Sequence, residues 1–198
     1  MSPFVDPLNG GDLMETMLMT LVLLIAVLSI AGRWKALLGI VLAAPAVIGQ
    51  WLNYWQPDQM LIYAVTRVSG LLFIGFVVVE LLRFILSAPQ VDAEVLCAAV
   101  AGFLLSGLAW SLAYNLLDRL DPNSFVFTLS SQNGFSMNGF TSLYFSFVTL
   151  STLGYGDIVP VAQMARMLAM VEAIFGMFYM ALLVARLVSL YSAKPNRE

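Results

Sequence analysis

Thr149-Leu150-Ser151-Thr152-Leu153-Gly154-Tyr155-Gly156-Asp157 is a nine-residue run in which two glycines alternate with bulky side chains, set between two long apolar segments. A row of backbone carbonyls facing one axis can replace the hydration shell of a cation, ring by ring. Such a row requires left-handed or otherwise unusual dihedrals at alternate residues, which Gly154 and Gly156 adopt without a Cβ clash. On this reading Thr152 adds a hydroxyl oxygen at the cytoplasmic end, and the Tyr155 ring packs outward to hold the loop open. In a soluble loop Gly-Tyr-Gly-Asp would be an ordinary turn, so the flanking sequence decides.

The flanks are those of a membrane protein. Of 198 residues, 61% are hydrophobic and 11% charged, against roughly 25% charged in a soluble domain. There is no His, which removes Ser-His dyads and triads and the most frequent zinc ligand. No covalent chemistry is therefore expected. Cys97, the single cysteine, lies in an apolar run and reads as a small buried hydrophobe rather than part of a disulfide or metal site. The formal charge of −3 comes without any cluster of Lys or Arg that would suit nucleic acid.

Five segments, 16–32, 36–55, 60–86, 95–117 and 164–191, come close to or exceed the roughly 20 residues that cross a hydrocarbon core. The first follows Asp6, Asp12 and Glu15 with no basic residue, so it lacks the positive start of a cleavable signal and reads as a retained helix. Pro45 is expected to bend the second. Residues 141–151 form an apolar run of 11 residues, about 16 Å at the helical rise, too short to cross. That run must be re-entrant. Its C-terminal end leads into the glycine run, so the negative end of its dipole favours a cation there. The polar connection 118–139, with Phe125, Phe127 and Leu129 alternating against Val126 and Thr128, reads as an outer turret with one extended stretch.

Charge bias gives an orientation. With Asp157 outside, Arg33, Lys35, Arg83, Arg186, Lys194 and Arg197 fall inside, and Arg119 and Arg166 outside, as the positive-inside rule requires. The N-terminus is then outside and the C-terminus cytoplasmic, in a multi-pass protein of the plasma membrane.

The run resembles the signature of the potassium channel family, usually Thr-Val-Gly-Tyr-Gly-Asp, with Leu153 in place of Val. The likeness covers roughly 95–191. It implies an all-α membrane protein with five transmembrane helices plus a re-entrant pore helix, assembled as a homotetramer in the lipid bilayer. Residues 1–91 would form a three-helix N-terminal region and 92–198 the pore domain. The carbonyls of Thr152, Leu153, Gly154, Tyr155 and Gly156 would line the ion path, with K⁺ at Thr152 to Tyr155 and no cofactor beyond the permeant ion. Tyr144 and Phe145 stand where two tryptophans often pack around the filter, and Val148 and Thr149 complete its support. Some members carry a Glu at the place of Val148, paired to the filter Asp, so Asp157 needs another partner here. Ile158-Val159-Pro160 resembles the usual exit from the motif.

Gly176 follows Asp157 by 19 residues, where many members have a hinge glycine; close packing against a neighbouring helix is the other reading. Met177, Met180, Val184 and Val188 recur at three- and four-residue intervals and in the family comparison line the cavity and inner gate. Voltage-gated relatives carry a helix with a basic residue at every third position, whereas here Arg67 is the one basic residue in a helix interior, so voltage sensing is expected to be weak or absent. Glu80 and Arg83, three apart, are expected to pair. Glu172, four residues before Gly176, either makes a structural hydrogen bond behind the filter or tunes conduction. No cytoplasmic nucleotide- or calcium-binding domain is expected, which leaves gating to the pore, the first three helices, lipid or a separate regulatory protein.

The expected function is passive K⁺-selective conduction. The alternatives are a weakly selective monovalent cation channel, a non-conducting sensory or structural subunit, or a piece of a potassium transporter; the single full Gly-Tyr-Gly motif argues against the last.

Overall fold

The structure, a computed structural model, describes residues 33–55, 59–90, 92–128 and 137–192. The helix expected over 16–32, the turret residues 129–136, Lys194 and Arg197 lie outside the described residues. Within them the chain is almost entirely helical: α1 Arg33–Trp55, α2 Met60–Ser87, α3 Ala93–Leu120, α4 Gly139–Leu150 and α5 Gln163–Ser192. Two three-residue strands, β1 Phe125–Phe127 and β2 Ile158–Pro160, pair antiparallel.

Among the described residues, three helices are long and apolar enough to cross a membrane: Met60–Ser87, Ala93–Leu120 and Gln163–Ser189. The apolar part of α1, Leu37–Leu52, is shorter, as is α4. Helix α1 runs on through Pro45. Helix α3 continues three residues into the stretch read as turret, and the Asp121 N–H then closes the helix on the Leu117 carbonyl at 2.8 Å. At its other end Asp92 caps the helix, accepting from the Val95 N–H at 2.9 Å.

Helix α2 lies between α1 and α3. Ala43 and Ala46 of α1, Phe73, Ile74, Val77 and Val78 of α2 and Leu112 of α3 share one buried cluster, against which Phe175 of α5 also packs. At the α1–α2 crossing a Cβ on Gly49 would stand 1.9 Å from Thr66 Oγ1, so only glycine permits this approach. A second cluster, Tyr114, Phe125, Met137, Phe145, Ile158 and Ala165, ties α3, both strands, α4 and α5 around the glycine run. Ile85, Ala88, Val95, Ala98 and Ala99 close the opposite end, where Arg186 Nη2 of α5 donates to the Ala88 carbonyl at 2.7 Å. Arg83 and Glu80 pair at 2.8 Å, as their spacing predicts.

Candidate functional site: the loop between α4 and β2

Helix α4 starts on Asn138, whose Oδ1 accepts from the Thr141 N–H at 3.3 Å and the Thr141 hydroxyl at 2.9 Å. One face then zips to α3 through small polar residues four apart. Ser142 Oγ lies 2.8 Å from Ser111 Oγ, and Ser146 Oγ 2.7 Å from the Gly107 carbonyl. Gly107 leaves room for the Phe147 ring, which a Cβ there would meet at 2.6 Å. Phe145 sets its ring edge-on to Tyr114 and Phe125, with centroids 4.9 and 5.5 Å apart. It thus packs toward α3 and β1.

The C-terminal carbonyls of α4, which have no partner within the helix, accept from the loop that follows. Thr149 O takes the Thr152 N–H at 2.9 Å, and Val148 O takes those of Leu153 at 2.9 Å and Gly154 at 3.4 Å. Folding back in this way puts Thr152, Gly154 and Gly156 at positive φ, +59°, +55° and +77°. The alternation expected of the glycines therefore begins one step earlier, at a β-branched residue that rarely adopts it. With the N–H groups so engaged, no described residue donates to the carbonyls of Thr152, Leu153, Gly154 or Tyr155. Leu153 and Tyr155 are 59% and 66% exposed, large apolar surfaces that one copy of the chain leaves uncovered.

The far end of the loop is held from two sides. Tyr144 Oη donates to Asp157 Oδ2 at 2.7 Å, and Asp157 Oδ1 accepts from the Ile158 N–H at 3.1 Å. Tyr144 is thus the partner for Asp157 that Val148 does not provide. Thr128, just past β1, gives its N–H to the Asp157 carbonyl at 2.9 Å and its hydroxyl to Gly156 O at 3.0 Å and Asp157 O at 3.2 Å. The strand register, Phe125 with Pro160, Val126 with Val159 and Phe127 with Ile158, continues this attachment. Alternation at 125–127 and the Ile-Val-Pro exit were each visible in the sequence, but not that they pair.

Behind the loop, α5 meets α4 twice. A Cβ on Gly176 would lie 2.0 Å from the Leu150 carbonyl oxygen and 2.9 Å from its carbon, so the two backbones touch there. One turn earlier Glu172, fully buried, is in hydrogen-bond contact with the Tyr114 hydroxyl and with Ser146 Oγ, the latter at 2.6 Å. The roles of Tyr114, Ser146 and Thr128 escaped sequence reasoning, since a lone Tyr, Ser or Thr carries no signal of its own. Met177, Met180, Val184 and Val188 are all more than half exposed on α5. Arg67 stacks on Tyr63, its guanidinium carbon 5.1 Å from the ring centre, and Arg119 lies 5.2 Å from the same ring. These contacts lead to Asn115 and the end of α3 rather than to residues 152–157.

Residues 96–193 match the model of a family described as ion channel. Over 155 residues the chain is 24% identical to a protein provisionally named a potassium channel in Rhodopseudomonas palustris, a match covering 77% of this chain and 34% of that protein. Over 48 residues it is 40% identical to a calcium-gated potassium channel of Thermoplasma volcanium, covering 24% of this chain and 14% of that relative. The chain thus spans about a third of the length of the first relative and about a seventh of the second.

Proposed function

We propose that residues 96–193, which match the ion channel family, form the pore domain of a potassium channel, and that the chain is a passive, K⁺-selective channel of the plasma membrane. The carrying observation is the loop 152–156, where the N–H groups of Thr152, Leu153 and Gly154 are engaged by α4 while four successive carbonyls take no donor from the described protein. Carbonyl oxygens in that state, on a backbone of alternating positive φ, suit a dehydrated monovalent cation. Thr152, Leu153, Gly154 and Tyr155 hold the ion, with Gly156 closing the row. Tyr144, Phe145, Val148, Thr149 and Asp157 support it.

One loop supplies one quarter of each oxygen ring, so four chains assemble around the axis with cyclic symmetry. The bare Leu153 and Tyr155 side chains and the exposed length of α5 support this, being apolar surface that neighbours would cover. In that assembly Met177, Met180, Val184 and Val188 line the cavity and gate, and Gly176 is where a bend in α5 would act. The pore domain is 92–198 and the N-terminal membrane region 1–91, giving five crossings with the N-terminus outside and the C-terminus cytoplasmic. Arg67, engaged on Tyr63, supports weak voltage dependence.

The test is the reversal potential of purified protein in a planar bilayer under opposing K⁺ and Na⁺ gradients. Reversal near the K⁺ equilibrium potential is expected; reversal near zero would refute selectivity.

A further inference from the structure

Glu172 lies fully buried where α5 faces α3 and α4, and both its carboxyl oxygens meet neutral hydroxyls. Tyr114 Oη of α3 contacts Oε2, and Ser146 Oγ of α4 stands 2.6 Å from Oε1. The same Ser146 Oγ stands 2.7 Å from the Gly107 carbonyl oxygen. Both Ser146 separations fall in the range of O–H···O hydrogen bonds, and each such bond needs a hydrogen between its oxygens. Ser146 owns one hydrogen and the Gly107 carbonyl none. The Tyr114 hydrogen is engaged on the other carboxyl oxygen, so one is missing from the count. A single hydrogen shared between both acceptors would lengthen both contacts, and two oxygens pressed together with none between them repel.

The missing hydrogen has one owner left. Placed on Oε1 of Glu172, it donates to Ser146 Oγ, Ser146 donates onward to Gly107 O, and Tyr114 donates to Oε2. Every polar atom of the group is then satisfied. The ionised alternative buries a full charge whose hydrogen-bond partners are two neutral hydroxyls, which an apolar site strongly disfavours. Other ionisable groups on the surrounding elements are turned elsewhere. Tyr144 of α4 is committed to Asp157, Asp118 of α3 accepts from the Met137 N–H at 3.0 Å, and Arg166 of α5 donates to the Pro160 carbonyl at 3.2 Å.

We propose that Glu172 is a positioning residue, carried as a neutral carboxylic acid, whose directed hydrogen-bond chain from Tyr114 to Gly107 locks α5 onto the helix that seats the filter. The register supports this: Glu172 and Gly176, one turn apart on α5, meet Ser146 and Leu150, one turn apart on α4. One contact is polar and the other steric, and together they set both the distance and the rotation of α4 just ahead of Thr152. The role in conduction rests on the channel reading above; the protonation and the bond chain do not.

The experiment pairs infrared spectroscopy with flux, on the full chain in lipid at neutral pH. The wild-type minus Glu172→Gln difference spectrum is expected to contain the C=O stretch of a protonated carboxyl that shifts in D₂O. A difference containing carboxylate stretches instead overturns the proposal. In vesicle K⁺ flux, Glu172→Gln keeps the chain, because its amide accepts from Tyr114 and donates to Ser146, and is expected to stay within about twofold of wild type. Glu172→Leu leaves both hydroxyls unpaired and is expected to lower flux roughly tenfold or more. Wild-type flux in the leucine variant overturns the positioning role. Should that variant fail to assemble, the Gln variant and the spectrum decide. The band is read without any current, so a nonselective current with the band present counts against the K⁺ reading alone.

Discussion

Replacing Gly176 by alanine should weaken the protein, although alanine is the better helix former. The added Cβ would sit 2.0 Å from the Leu150 carbonyl oxygen, where ordinary contact begins near 3.4 Å. About 1.4 Å of separation must be found, and the obstacle is backbone, which cannot rotate away as a side chain would. Overpacking of this kind costs about 1–3 kcal/mol, and a rigid partner puts it near the upper end. Exchanging Gly for Ala within a helix returns roughly 1 kcal/mol. The net expectation is a loss of about 2 kcal/mol, with Leu150 displaced two residues ahead of Thr152. A glycine kept only for bending would give the opposite sign, since alanine would then stiffen and stabilise α5. Thermal unfolding of the purified protein in lipid nanodiscs, alongside K⁺ flux, reads both quantities. A raised midpoint with unchanged flux would refute the packing argument.

Tyr144→Phe removes the 2.7 Å bond to Asp157, a charge-assisted contact worth about 1.5–3 kcal/mol; steady-state current under maintained opening should fall while assembly is retained, and an unaltered current would count against the contact. Thr128→Val deletes the hydroxyl contacts to Gly156 and Asp157 but spares the strand, so a loss of about 1 kcal/mol is expected, visible as faster amide exchange at 156–158. Asn138→Ala strips the cap of α4 and should lower the unfolding midpoint by the equivalent of about 1 kcal/mol, with ion selectivity unchanged because the filter end of the helix is untouched.

The long helices were legible because an apolar run of more than 20 residues in a chain this poor in charge has one economical conformation, and α2, α3 and α5 begin and end within a few residues of where hydropathy puts them. Helix α4 was legible from being too short. Residues whose signal is distributed were not. The partner of Asp157 is a hydroxyl on an aromatic ring at a position read for its packing alone. The β1–β2 pair unites two three-residue segments about thirty positions apart, and nothing in either names the other. Positive φ at Thr152 follows from the α4 carbonyls capturing three successive N–H groups, a tertiary demand that overrides what a β-branched residue prefers.

The β1–β2 ribbon gives the chain ahead of α4 a freedom in length that the loop after α4 lacks. By joining 125–128 to 156–160 it closes a ring that contains α4 and the loop after it, and any change in the length of chain between Thr128 and Met137 is absorbed inside that ring. Doubling such a connection costs only about 0.6 kcal/mol of closure entropy, whereas a one-residue slip in the ribbon would turn Thr128 away from the two carbonyls it holds. Insertions between Thr128 and Met137 are therefore expected to leave the loop 152–157 in place.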